Sequence, residues 1–527
     1  MRAERLFSIL GLVDPELVEE AVDSTAAVRI RRAAVWGRYA AVAACCVIVC
    51  GALFWSVRFL GMGGSDTAAT SESTAADTAD GADSGTAGGA DAAEDNAAQE
   101  PGEGFLSYAG PVLPLTTAET DPELSAERTL TFDFAAGDHA DGTSGQWGAT
   151  VTDSYLLTNP TDHAITVTAL YPVTGGLADL AAINPKLAVD GSAVDYTLYA
   201  GGYAGTFGDE NDHNGSTWNL AGPYDWEDYA ALVSGSDYLA GALGSEPELT
   251  TPVTVYDFSH VTLTGEAEQP ELVVSCTFDP EATMIFSYGF SSSNWDETGT
   301  WRQYGQRVNP DRWGSPTLIV LGEDIDYTLL GDYGLDAPAL TGADCTVTRR
   351  ETTLGEALTA LCQAELASQT NSTNSMELPL EQYVKAATEL LTVYGPLSDT
   401  PMDRYIDGRL DDLLGEALTT DRVLYLAVPV TVPAGESLEV SASFWKRPSY
   451  DFGGSGTGRE NLQGYDLLTS AGSSLTFTGQ YALAINTGGA ALVTQNLGLD
   501  WEDGTAEEAA LDLTQPHYFL EIRPLEN

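Results

Sequence analysis

Oxygen ligands at alternate positions are what a Ca²⁺ loop requires, and residues 208–215 (GDENDHNG) offer Asp209, Glu210, Asp212 and Asn214. Counted from Asp209, Asn211 fits but His213 follows and the glycine comes late. Counted from Glu210, Asp212 and Asn214 fit but the twelfth residue is Ala221, not a bidentate Glu. The segment therefore reads as an irregular Ca²⁺ loop or as a solvated turn, and no other cofactor is indicated. Aromatic faces beside carboxylates are the chemistry of sugar binding, because rings stack on the sugar while carboxylates accept from its hydroxyls. Two segments have it: Trp295 and Trp301 in residues 294–301 (NWDETGTW), and Trp226 in residues 225–228 (DWED), beside Tyr224 and Tyr229. The competing reading has Trp295 and Trp301 covering the end of a sheet.

Other chemistry is poorly provided for. The chain has no H-E-x-x-H, G-x-S-x-G, Walker A or G-x-G-x-x-G motif. Its five His (139, 163, 213, 260 and 517) are scattered. Residues 453–458 (GGSGTG) lie between strand candidates instead of opening a helix, which suits a hairpin loop better than a phosphate cradle. An enzyme is not expected. Cys276, Cys345 and Cys362 show no metal-type spacing and permit one disulfide at most, with Cys276 reading as a small buried thiol in an alternating strand.

The elements that must position these residues begin with an apolar run. Tyr39–Val57 is nineteen residues without a charge, long enough at about 1.5 Å per residue to span a hydrocarbon core of about 30 Å. Arg29, Arg31, Arg32 and Arg38 precede it and Arg58 alone follows, so the positive-inside rule places residues 1–38 in the cytoplasm and the C-terminus outside the cell. A cleaved signal peptide fits less well, because 38 residues precede the run and no A-x-A site follows it. A lipobox-like string at residues 42–45 stands at the wrong end of the run for a lipoprotein. Residues 58–104 are an Ala/Gly/Asp/Ser/Thr linker, solvated and self-repelling, whose low-complexity part spans roughly 35–40 Å as a random coil. Before the span, Leu6, Ile9, Leu10, Leu17 and Val18 recur at helical spacing, with Asp14-Pro15 supplying a cap. Two helices this short cannot bury their own apolar face, so these residues are candidates for binding a partner or the inner leaflet.

From Phe105 the composition turns globular. Runs bounded by Gly, Pro, Asn and Asp predict strands over residues 129–134, 149–158, 164–171, 194–199, 253–258, 272–278, 284–288 and 318–321. Residues 225–233 interrupt them with helical spacing. Helical periodicity dominates residues 351–419: Leu354, Leu358 and Leu361, then Leu380, Tyr383, Ala387 and Leu391, then Tyr405, Ile406, Leu410, Leu413 and Leu414 over residues 402–418. Strands resume at 423–430, 437–444, 474–478, 481–485, 491–496 and 518–522. The expected class is α+β: an antiparallel, β-sandwich-like ectodomain with a helical insertion, tethered by one transmembrane helix. Its parts are a cytoplasmic segment (1–38), the span (39–57), the linker (58–104), a β-rich domain (105–350), a helical segment (351–420) and a C-terminal β-rich domain (421–527).

The balance of 78 acidic against 22 basic residues, a net charge of −56, excludes nucleic acid as a partner, because phosphate backbones require Lys/Arg neutralisation. Only six acids but seven arginines lie in the first 60 residues, so the whole imbalance falls on the exported side. With 43% hydrophobic residues, 23 Tyr and 10 Trp, the chain can still bury a core.

Residues 6–21 (LFSILGLVDPELVEEA), the Arg-rich patch with Trp36 and the Ala/Cys-rich span resemble the N-termini of single-pass exported proteins of clostridial-type Gram-positive bacteria. Some of these are similar to membrane-bound regulators and anti-sigma-like proteins. Residues 108–116 (YAGPVLPLT), 151–159 (VTDSYLLTN) and 464–470 (GYDLLTS) resemble the exported heads of the same group. The resemblance brings no catalytic motif; it implies a cytoplasmic regulator, such as a sigma factor, as a partner beside the membrane. Together these features predict a membrane-anchored extracytoplasmic binding or sensing protein. The alternatives are a passive cell-envelope or surface structural protein and, less favoured, a secreted-side hydrolase.

Overall fold

The computed structural model describes residues 105–525, apart from 121, 136, 139–143, 146–147, 206–224, 246–247, 264–270, 297, 308–314, 331–342, 370–377, 402–404, 453–460 and 502–504. They belong to one of the chain's two compact units, the one that includes residues 99–527. The other unit, residues 13–98, lies outside the described residues, as do the span expected at Tyr39–Val57, the expected linker and the short helices expected before the span. Among the described residues no helix is long and apolar enough to cross a membrane.

The described chain is β-rich and almost wholly antiparallel, with a few helices. Its centre is the strand Arg422–Val432, buried along nearly all its length. A near-continuous apolar run is the pattern of a strand covered on both faces. It lies between Ile165–Gly175, with Leu426 opposite Tyr171, and Thr197–Tyr203. On one face Val423 and Tyr425 pack with Tyr108, Leu113 and Tyr229; on the other Leu424, Leu426 and Val428 enter the main core. A seven-stranded sheet holds Ser125–Asp133, Ala149–Thr158 and Ser437–Lys446, with Ser441 opposite Ser154. A five-stranded sheet contains Gln463–Leu468 and His517–Pro524.

Residues 252–353 add a smaller sandwich of two four-stranded sheets. Its inner faces meet through Tyr256, Phe258, Leu272, Val274, Cys276, Phe290, Tyr304, Leu318 and Val320. Alternate residues of the same strands, Val253, Val255, Ile319 and Leu321, face the main core instead. Helices Leu354–Gln369, Leu380–Glu389 and Leu410–Thr419 form a layer tied to both β parts. Gln382 and Glu389 accept from the backbone N–H groups of Ala200 and Tyr203. Glu365 accepts from the Tyr288 hydroxyl, and Asp411 from Gly289 N–H.

Several expectations change. Residues 421–527 do not make a separate β domain: their strands insert between those of residues 105–203 in the central and seven-stranded sheets. Composition and period report local elements, whereas strand pairing is non-local. The strand expected at 194–199 is interrupted at Asp195 and Tyr196, between Ser192–Val194 and Thr197–Tyr203. The two expected at 474–478 and 481–485 are one, Thr476–Ile485, carrying an irregularity between Phe477 and Gly479. Residues 294–301 are not a free loop but a hairpin joining Ser292–Trp295 to Trp301–Arg307. The third helix starts only at Leu410, which leaves Tyr405 buried and Ile406 60% exposed ahead of it. All three cysteines of the head are free, with Cys276 and Cys362 in different cores.

One ion pair sits between these layers. Arg128 and Asp153, on neighbouring strands, are joined by two nitrogens of the guanidinium, with Nη2 to Oδ2 at 2.7 Å and exposures of 1% and 0%. Arg128 also donates to the carbonyls of Leu468 and Leu113. Removing one member leaves an uncompensated buried charge, at a cost of about 3–5 kcal/mol. Asp153→Asn is expected to lower unfolding free energy by about that amount. The double variant Arg128→Met/Asp153→Leu should be less destabilised than Asp153→Asn, as read by chemical denaturation.

Candidate functional site

The residues singled out by sequence do not converge. Asp209, Glu210, Asp212 and Asn214 lie outside the described residues, as do Leu6, Ile9, Leu10, Leu17 and Val18. Among the described residues no group of three or more His, Cys, Asp or Glu is placed to hold a metal ion.

Trp226 opens the helix Trp226–Ser234, whose N-cap Asp225 accepts from Asp228 N–H. Its indole stacks on the His517 imidazole at 4.4 Å and 6°. His517 Nε2 is 2.7 Å from Asp466 Oδ1, and Tyr108 donates to Oδ2 of the same carboxylate at 2.7 Å. One face of Trp226 therefore holds the helix to the five-stranded sheet. Trp295 and Trp301 are separated by the pleat. Trp295 stands opposite Arg302 and Trp301 opposite Thr277, and adjacent residues of a strand face opposite ways. Trp295 is 51% exposed, whereas Trp301 donates through Nε1 to Ser275 Oγ at 3.0 Å.

Concave surface lies elsewhere. A groove of about 850 Å³ runs between helices Leu354–Gln369 and Leu380–Glu389, with Leu249, Leu380 and Val384 among its lining. Its charges are engaged or exposed. Lys385 Nζ donates to the carbonyls of Gly241, Ala242 and Gly244, closing the C-terminus of helix Ser236–Leu243. Glu356 accepts from Thr352 and Thr353 at the start of its own helix. A second hollow of about 510 Å³ lies beside Lys186 and Tyr196.

The third, about 400 Å³, opens at one end of the small sandwich. The strand Thr283–Tyr288 supplies Met284 and Ile285, the end of Glu271–Thr277 leads to Phe278 and Pro280, and the segment after the second helix supplies Pro396 and Ile406. Such dimensions and mostly apolar walls suit a small molecule. Among the described residues Arg302 is its one cation. The guanidinium carbon lies 5.9 Å from the centre of the Phe278 ring, and Nη1 reaches the Asp407 carbonyl only at 3.4 Å. Arg302 Nε is buried without an acceptor, and the guanidinium interacts with the Tyr304 hydroxyl two residues further along the same strand face. Sequence reasoning passed over Arg302, although the strand that carries it adjoins Trp301. Ile406 was assigned to a buried helical stripe, and only its place before the helix exposes it.

Lys446 is a further buried group that no motif marks, although it is one of three lysines in the chain. It is 2% exposed and donates to the carbonyls of Gly110 and Arg447 at 2.8 and 3.1 Å. Burial, with Arg447 beside it, pushes its pKa down to about 7. Asp421, ion-paired to Arg447, opposes that shift only in part.

No family model matches the chain, and no curated protein matches it in sequence. Among solved structures it is similar to a Legionella pneumophila protein provisionally assigned to nutrient binding, with 4% identity and a TM-score of 0.28. The match covers 79% of this chain and 72% of that one; at that score the likeness carries no argument.

The depressed Lys446 pKa has a defined sign. Between about pH 7 and the ordinary lysine value near 10.4, the unfolded chain binds the proton and the folded chain does not, so this residue's contribution to stability rises with pH. Denaturation curves of wild type and Lys446→Met from pH 6.5 to 9.5 should show the difference growing in favour of wild type above pH 7. Parallel curves would rule out an amine that titrates in that range.

Proposed function

We propose that the chain is a membrane-anchored extracytoplasmic protein that binds a small molecule, with its N-terminus in the cytoplasm. The observation that carries the binding reading is the cavity at the end of the small sandwich: about 400 Å³, mostly apolar and floored by a guanidinium with no carboxylate partner. The nineteen-residue run Tyr39–Val57, its Arg-rich flank and the acidic linker support the anchoring. The helical pattern of Leu6, Ile9, Leu10, Leu17 and Val18 supports a sensing role through a cytoplasmic regulator, for which an inner-membrane contact is the competitor.

Reporter fusions should give cytoplasmic signal before Arg38 and external signal after Gly61. A cytoplasmic C-terminus would overturn the anchoring. For binding, the full-length protein in nanodiscs would be screened by thermal shift against a library of acids, amines and neutral compounds. A ligand at about 100 times its Kd adds about 2.7 kcal/mol to the folded state, a readable shift. At least one compound is expected to stabilise wild type and to lose that effect in Ile406→Asp, which charges an exposed rim position. A library in which every hit binds both proteins alike would move the site away from this cavity.

A further inference from the structure

We infer that the cavity at the end of the small sandwich takes a monocarboxylate carried on an apolar body, its carboxylate held by Arg302. This rests on the binding reading and names the ligand's chemistry.

The strongest observation is the state of Arg302 in so acidic a chain. Arg128, Arg349, Arg350, Arg409, Arg422 and Arg447 all have carboxylate partners within 4.0 Å. Among the described residues Arg302 has none within 4.0 Å, although acids outnumber bases by 78 to 22; the Asp407 carboxylate is near enough to feel the guanidinium but not to pair with it. The bond of Arg302 to a backbone carbonyl is the long contact to Asp407 O. The Phe278 ring lies within cation–π range of the guanidinium and helps to hold it at the cavity. A planar guanidinium presents paired N–H groups that match a carboxylate, and a carboxylate is a stronger partner for it than a neutral carbonyl. Arg302 also interacts with the Tyr304 hydroxyl, two residues along on the same strand face, which helps to hold the guanidinium in place.

The walls specify the rest of the ligand. Phe278, Met284, Ile285, Pro396 and Ile406 make most of the wall apolar, and of the two hydroxyls there Thr283 donates to the Glu323 carbonyl, so the body of the ligand is chiefly apolar. The charge is single, because Asp399 lines the same cavity and Asp407 follows Ile406 on the chain. Among the described residues, a dianion such as phosphate would meet one cation and two like charges.

The test uses full-length protein in nanodiscs, with equilibrium dialysis against empty nanodiscs as the partition control. The probes are 4-phenylbutyrate, its neutral amide and inorganic phosphate. Wild type should bind the acid more tightly than the amide by about ten- to hundredfold, the worth of a hydrogen bond to an ionised group. Arg302→Gln should erase that preference, and Arg302→Lys should restore part of it. Equal binding of acid and amide by wild type would overturn the assignment without any variant having to fold. Acid binding unchanged in a folded Arg302→Gln protein would overturn it as well, and displacement of the acid by equimolar phosphate would overturn the single charge. If a neutral or cationic compound binds, is lost in Ile406→Asp and survives Arg302→Gln, the binding reading stands and this inference fails.

Discussion

The fold depends on a buried polar spine centred on the Arg128–Asp153 pair. Asp153 also accepts from the Tyr155 hydroxyl at 2.7 Å, and that hydroxyl accepts from Leu115 N–H at 3.0 Å. Arg128 reaches the carbonyls of Leu113 and Leu468, while Tyr108 donates to Asp466. A paired charge in a dry interior holds its neighbours to one arrangement, since any slip strands a donor or acceptor without water. Here the neighbours are three separate stretches of chain: residues 108–116, 151–159 and 464–470. Their shared chemistry is to lock the five-stranded sheet and its leading segment onto the seven-stranded sheet.

The same economy of cations runs through the head. Arg128 and Arg422 are 1% exposed and Lys446 is 2% exposed, each tied to carbonyls, and the two arginines to carboxylates as well. Several of the few positive charges are thus placed inside, where they fix backbone, and this contributes to the acidity of the surface. Screening over about 8–10 Å at physiological ionic strength confines that acidity to short range. An anion at Arg302 therefore senses chiefly the guanidinium and the nearest carboxylates, and only weakly the net charge of the chain.

What sequence made legible follows from the range of each interaction. Alternation gave the Ala149–Thr158 strand residue for residue, because one face of it is core. Helical spacing located Leu354–Gln369 and Leu380–Glu389 for the same reason. Residues 423–430 read as a strand as well, and its burial on both faces and its place between two neighbours are findings of the structure. Which neighbours could not be read, because the pairing of Arg422–Val432 with Ile165–Gly175 closes a loop of some 250 residues. The candidate site was less legible still. Trp residues stand out by type, yet Trp226 and Trp301 work as anchors within the fold. Arg302 matters for the partner it lacks, and no single-residue property encodes that.

The cavity's position bears on how occupancy could be felt elsewhere. Its Pro396 wall is separated only by Gly395 from the π turn Leu390–Tyr394, which continues helix Leu380–Glu389. A side chain at Gly395 would stand 2.5 Å from the Leu390 carbonyl, so glycine alone lets the chain leave the helix this abruptly. At the other side of that turn, Glu389 accepts from Tyr203 N–H and pairs with Arg422 at 3.1 Å, at the start of the central strand. Two nitrogens of Arg422, Nε and Nη2, are buried there without an acceptor. A ligand that shifts the Pro396 segment thus acts on a short, wide turn joined to an ion pair with unused donors, which can re-form in another arrangement more readily than a saturated one. Coupling requires an element with two arrangements that the ligand distinguishes.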